Sequence, residues 1–200
     1  MCTVSTLGRD SYHHGDLRAA LLTQALAMLG QSPTFSLRAL AKKTGVTPTA
    51  VYRHFADKQA LESALAAQGY EELLLRMKSE SESHVHSRGD VWRLAYAYIT
   101  WASDNEPLFS LMFTTHCDPN APERVAAVNS LKAFLAQQVQ LWYPGYDNDM
   151  FLTVMWGFVH GTATLYLQGK ILADQDATGG IEETVRSLWE TFTSTVGNGS

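Results

Sequence analysis

Apolar side chains return every third or fourth residue in run after run along this chain. No stretch alternates apolar and polar as a half-buried strand would. Leu17, Leu21, Ala25 and Leu29 fall at i, i+4 spacing and predict a first helix over 16–29, with Asp16 able to cap it. Residues 30–34, with Gly30 and Pro33, read as a loop. Ser36 suits the N-cap of a short helix, 37–44, whose apolar face is Leu37, Leu40 and Ala41, and Gly45 can take the left-handed turn at its end. Thr47 caps the next helix, 48–55, and Pro48 sits at its first position, where a missing N–H costs nothing. Asp57 caps a fourth, long helix running to about residue 78, with Leu61, Leu65, Leu73 and Met77 among its apolar positions.

The polar run 79–87, of serines, glutamates and histidines, reads as a boundary loop between a head and a body. The body continues the helical period. It predicts helices over 90–105, stopped by Pro107; 107–113; 122–142, with proline in its first turn; 148–167, capped by Asn148 or Asp149; and 181–196. Residues 114–121 and 169–180 connect them. The fold class is therefore all-α, with about nine helices and no sheet, divided into a head at 11–58 and a body at 59–200.

Composition changes little: 46% hydrophobic and 18% charged is ordinary for a globular chain. The first ten residues hold no apolar stretch of the kind an export leader needs, and two cysteines, Cys2 and Cys117, do not suggest a disulfide framework. The expected location is the cytoplasm. Residues 150–167 carry no acid or base apart from His160, but they include three threonines and two glycines and lack basic anchors. A buried or interface helix is expected there rather than a membrane span.

Charge changes more. The net value is −5. Yet residues 1–58 hold seven bases (Arg9, Arg18, Arg38, Lys42, Lys43, Arg53, Lys58) against three acids (Asp10, Asp16, Asp57), and the remainder is strongly acidic. A basic head on an acidic body fits a chain that presents one end to phosphates.

The segment 35–58 meets the geometric needs of a DNA reader: two short helices, a tight glycine joint, and small or polar residues on the outer side of the second helix. Leu40, Val46 and Val51 are expected to form the buried side of the pair. Thr47, Thr49, Ala50 and Arg53 face outward, and Tyr52, His54 and Lys58 can donate to phosphate oxygens. The helix starts at Ser36 and Thr47 add backbone N–H groups suited to anions.

Val46-Thr47-Pro48 followed by Tyr52-Arg53-His54-Phe55 and Lys58 resembles the TetR family of bacterial repressors, over about residues 12–65. That resemblance implies base-edge contact for Pro48, Thr49 and Ala50, with Thr47 as a neighbour and Arg53 as a further candidate. It implies phosphate contact for Ser36, Tyr52, His54 and Lys58. Arg9 and Tyr12-His13-His14 are candidates for an N-terminal arm near the DNA.

In the body, Trp156-Gly157-Phe158-Val159-His160-Gly161 resembles the Trp-His-Gly signature of one subset of the family. Trp156 and His160 share a helix face, one turn apart. With Trp92, Tyr96, Trp101, Phe109, Met112, Phe113 and His116 they are candidates to line an apolar ligand pocket. Gly157, Gly161 and Thr164 are small enough for close approach of a second copy, and Leu165, Leu188, Trp189 and Phe192 could supply the apolar centre of a homodimer.

No catalytic residue, metal site or cofactor is implied. His160 lacks a nucleophile or positioned partner, and the histidines at 84 and 86 lack thiol or carboxylate ligands at tetrahedral spacing. The expected partners are a palindromic double-stranded DNA operator, a second copy of the chain and a small-molecule effector that releases a repressor. The competing reading is a DNA-binding regulator whose body docks a protein partner.

Overall fold

The computed structural model describes residues 14–32, 34–114, 121–146, 148–171 and 180–197. Arg9, Tyr12, His13, Pro33, His116 and both cysteines lie outside them. The chain divides into two compact units between Glu62 and Ser63.

The head contains α1 (His14–Gln31), α2 (Leu37–Thr44), α3 (Pro48–Tyr52) and the first turn of α4 (Lys58–His84). The body holds the rest of α4, a 3-10 turn at Arg88–Asp90, and α5 (Trp92–Asp104), α6 (Glu106–Thr114), α7 (Pro122–Trp142), α8 (Asn148–Leu167) and α9 (Gly180–Gly197). No strand is present among the described residues.

The head packs around Leu21, Leu40, Val51, Phe55 and Leu61, all almost fully buried. At about 1.5–3 kcal/mol for each large apolar side chain, these few residues are its main favourable term. Val46, expected among them, is only half-buried. α3 also stops earlier than the sequence suggests, at Tyr52 rather than Phe55. The chain tightens there, with the N–H groups of His54 and Phe55 both donating to the Val51 carbonyl. That turn drops Phe55 into the core and leaves Asp57 positioned to accept from the Ala60 N–H at 2.8 Å, which starts α4.

The larger departure is in α4. The polar run from 79 has the composition of a loop, but the helix continues through it to His84. From residue 79 on, no glycine or proline interrupts it before Gly89, and three of the polar residues, Glu80, Ser81 and His84, have partners. Glu80 is buried against His84 at 3.2 Å and Arg93 at 3.7 Å, and Arg93 also reaches Glu182 on α9 at 3.9 Å. The Ser81 hydroxyl donates to the Gln138 side-chain oxygen on α7 at 3.2 Å. The head–body boundary therefore falls inside a helix and not in a linker. Asp90 does not begin the next long helix. Its carboxylate accepts from the Ser87 hydroxyl at 2.7 Å and the His86 N–H at 3.2 Å, closing the 3-10 turn. The Ser87 hydrogen bond holds its pKa below the ordinary carboxylate value.

Candidate nucleic-acid interface and ligand cavity

In the head, each short helix is started by its own side chain. Ser36 Oγ accepts from the Ala39 N–H at 3.1 Å, and Thr47 Oγ1 accepts from the Ala50 N–H at 3.3 Å. One N–H at each helix start is thus satisfied internally. Gly45 joins α2 to α3 at φ 74°, in the left-handed region, and its N–H donates back toward Ala41 and Lys42. A side chain there would strain the joint. The result sets Thr47, Pro48, Thr49 and Arg53 in solvent, with Ala50 half-buried beside them.

Tyr52 is 47% exposed although the residues on either side of it in the core pattern, Val51 and Phe55, are buried. His54 is half-buried. Lys58 pairs with Glu62 one turn along α4 at 2.9 Å, an exposed ion pair that a phosphate could replace at little cost. Ser36, Tyr52, Arg53 and Lys58 all remain accessible, and beneath them the Arg18 guanidinium lies 5.4 Å from the Phe55 ring centroid.

The body holds a half-open cavity of about 520 Å³, lined by residues of α4 to α9, with Tyr70, Tyr98, Phe113, Leu131, Met155 and Trp156 among its walls. Two of the sequence candidates, Phe113 and Trp156, line it. Trp189, assigned to the dimer face, also lines it and is 6% exposed, so its indole lies inside the unit.

The other candidates lie elsewhere. Trp92 is buried between two guanidinium groups, Arg93 at 4.7 Å and Arg186 at 5.9 Å from its ring, with Tyr96 edge-on to it. Trp101, Phe109 and Met112 are packed core. His160 stands behind the wall. Its ring lies 4.4 Å from that of Phe113, and Nδ1 is 2.9 Å from the Tyr98 hydroxyl oxygen. Burial raises the Tyr98 pKa far above its ordinary value and lowers that of His160. Both are therefore neutral near pH 7, and the Tyr98 O–H donates to Nδ1 when the ring proton is on Nε2.

Sequence reasoning missed Tyr70, Tyr98, Arg124 and Gln138, all of which line the cavity. A signal existed on α7, where Arg124 and Gln138 share an apolar stripe with Val128, Leu131 and Leu135. Both polar residues are buried, at 3% and 8% exposure.

α8 shows a different face. Met150, Val154, Trp156 and Leu165 are exposed, and a Cβ added at Gly157 or Gly161 would meet nothing within 4 Å. Residues Asp149–Leu167 are long and apolar enough to cross a membrane, yet little of that stretch is buried within the protomer. Phe192 of α9 is half-buried and stacks on Phe158 at 4.3 Å, Leu188 is half-buried, and the Thr164 hydroxyl is turned back onto the His160 carbonyl.

Comparison with known proteins places both units. Residues 21–65 match the family described as bacterial regulatory proteins, tetR family, and residues 91–188 match the tetracyclin repressor-like C-terminal domain. The chain belongs to the TetR family.

Among solved structures, a protein of unknown function from Rhodococcus sp. RHA1 is 30% identical. It superposes with a TM-score of 0.76 over 92% of this chain and 97% of that one. The TetR-family regulator PfmR from Thermus thermophilus shares the fold at 16% identity and a TM-score of 0.59, covering 85% of this chain and 94% of its own. A TetR-family regulator from Streptomyces coelicolor does so at 20% and 0.65, covering 88% and 81%. As a TetR-family member the chain is a DNA-binding transcription regulator rather than an enzyme. The first match spans the whole helix-turn-helix, and the second spans most of the residues around the cavity.

Proposed function

We propose that this TetR-family regulator is a homodimeric repressor whose hold on its operator is released by a small, largely apolar effector bound in the body. The cavity is the observation that carries the effector half of this reading. A solidly packed body would have favoured a protein partner, whereas about 520 Å³ lies within the usual range for small-molecule sites. An effector acts by binding one conformation more tightly than the other, and α4 is the element it would bias, because Tyr70 and Met77 of α4 line the cavity.

Dimerisation is supported by α8, where Met150, Val154 and Leu165 are exposed on the helix face that also carries Gly157 and Gly161. Two heads one helical turn apart, or a multiple of it, would read a palindrome. Within each head, Pro48, Thr49 and Ala50 would meet base edges, with Thr47 and Arg53 as neighbours, while Ser36, Tyr52, His54 and Lys58 grip phosphates. A regulator of this kind works in the cytoplasm.

The test begins by selecting bound sequences from random DNA. Binding of the recovered operator is then compared between the natural protein and the double variant Tyr52→Phe, Lys58→Ala. Loss of one hydroxyl and one ammonium contact should weaken binding by roughly 10- to 100-fold and shallow the salt dependence by about one counterion. Equal binding at matched salt sinks the assignment of these residues.

A further inference from the structure

We propose that the cavity opens beside the dimer face of α8 and that the second copy of the chain closes its mouth, so that effector binding and dimerisation strengthen each other. This rests on the readings of the cavity as the effector site and of α8 as the meeting face, and adds what completes the site.

Exposure places the mouth. Among the described lining residues, Lys132 of α7 and Asp149, Thr153 and Trp156 of α8 are the exposed ones. Those contributed by α4, α5 and α9 are all buried. The half-buried ones, such as Leu135 and Leu152, belong to α7, α8 and the end of α6. α7 and α8 pack against each other. The cavity therefore has its floor on α4, α5 and α9 and its mouth along the seam between α7 and α8.

On α8 the mouth adjoins the face that carries the two glycines. Residues three and four apart on a helix are neighbours, so Thr153 at the mouth borders both Met150 and Gly157. Trp156 is common to the two surfaces, 45% exposed and part of the cavity wall. Exposed positions thus run without a break round α8, from Trp156 through Thr153 to Met150 and Val154. TetR-family membership implies dimerisation, which names the second copy as the body that covers this face. A packed helix is about 10 Å across with its side chains, so one seated on Gly157 also overlies Thr153 and Trp156. An occupant of the isolated protomer keeps one side in water, and the second copy removes that side from water. A tenfold gain in affinity, about 1.4 kcal/mol, needs only about 55 Å² of apolar surface covered, a fraction of what one tryptophan can bury. Coupling is reciprocal, so two occupied sites should tighten the dimer by the square of that factor, about 100-fold.

The experiment uses the full-length protein and the neutral fluorophore N-phenyl-1-naphthylamine. Sedimentation across a dilution series, with and without saturating fluorophore, should show the dimer dissociation constant falling by about 100-fold. Fluorescence titration then compares the natural protein with Gly157→Arg, which sets a charge on the meeting face. Gly157 does not line the cavity, and a Cβ there meets nothing within 4 Å, so the protomer accommodates the change. The variant should be monomeric and should bind the fluorophore at least about tenfold more weakly. If the natural dimer is too tight to dissociate on dilution, the variant decides; if the variant does not fold, the dilution series decides. Equal affinity in monomer and dimer, or a dimer indifferent to the fluorophore, overturns the inference. A Gly157→Arg protein that stays dimeric moves the interface elsewhere and overturns it too. If the natural protein does not bind the fluorophore at all, the effector-site reading falls and takes this inference with it, an outcome distinct from binding without coupling.

Discussion

In the head, Thr49, Tyr52 and Arg53 stand in solvent over a core in which Leu40 and Val51 have no exposed surface. In the body, residues of six helices line a half-open cavity. The head needs a solid interior because its reading edge must hold its shape against a rigid duplex. If the body holds an effector as proposed, it needs such a space, because an occupant must be able to enter and leave. One chain thus uses opposite packing rules on either side of Glu62.

The strongest way to break that comparison is Phe55→Ala. Phe55 is 2% exposed in a unit with few other large core residues, so truncation should cost about 3–5 kcal/mol. Operator binding should disappear while N-phenyl-1-naphthylamine still enters the body. Simultaneous loss of both activities would show that the two packing regimes are not separable.

A smaller effect sharpens the comparison inside the body. A Cβ at Gly69 would collide with the Met112 sulfur and sit 3.2 Å from Leu108 Cγ, whereas at Gly157 it meets nothing within 4 Å. Gly69→Ala should therefore lose roughly 1 kcal/mol in thermal melts, overpacking outweighing the gain in helix propensity. Gly157→Ala should raise protomer stability by up to about 1 kcal/mol and, because α8 is the proposed meeting face, weaken the dimer about tenfold in sedimentation. A dimer indifferent to Gly157→Ala moves the interface elsewhere.

The smallest expected effect is on pH. Burial holds the folded-state pKa of His160 below the unfolded value near 6.5. The unfolded chain therefore takes up the proton first as pH falls, so the stability present above pH 6.5 is lost progressively below it. His160→Gln should flatten that part of the body's stability profile. An unchanged profile would remove the imidazole from the account.

The head was legible because its determinants are local. Ser36, Thr47 and Asp57 each cap a helix within three residues of themselves, and Gly45 turns the chain where it stands. Helix bounds in the body were nearly as legible, and α7 begins at Pro122 and ends at Trp142 as its punctuation implies. The contents of the cavity were not. Tyr70 and Arg124 converge on one carbonyl from positions 54 residues apart, and an aromatic inventory cannot separate Trp92, clasped by arginines, from Trp156, which faces the space. The end of α4 was hidden for a related reason. Glu80 reads as surface until Arg93 and His84 are brought against it.

Trp156 is 45% exposed and Trp189 is buried, yet both form part of the cavity wall. Indole emission shifts to shorter wavelength when water leaves the ring and is quenched by nearby charge, so these two residues make the protein its own optical sensor. With Trp92, Trp101 and Trp142 replaced by phenylalanine, a small molecule entering the space would be seen by excitation in the near ultraviolet with no label attached. The half-wet and the dry indole would then report separately on the two environments of the wall they share.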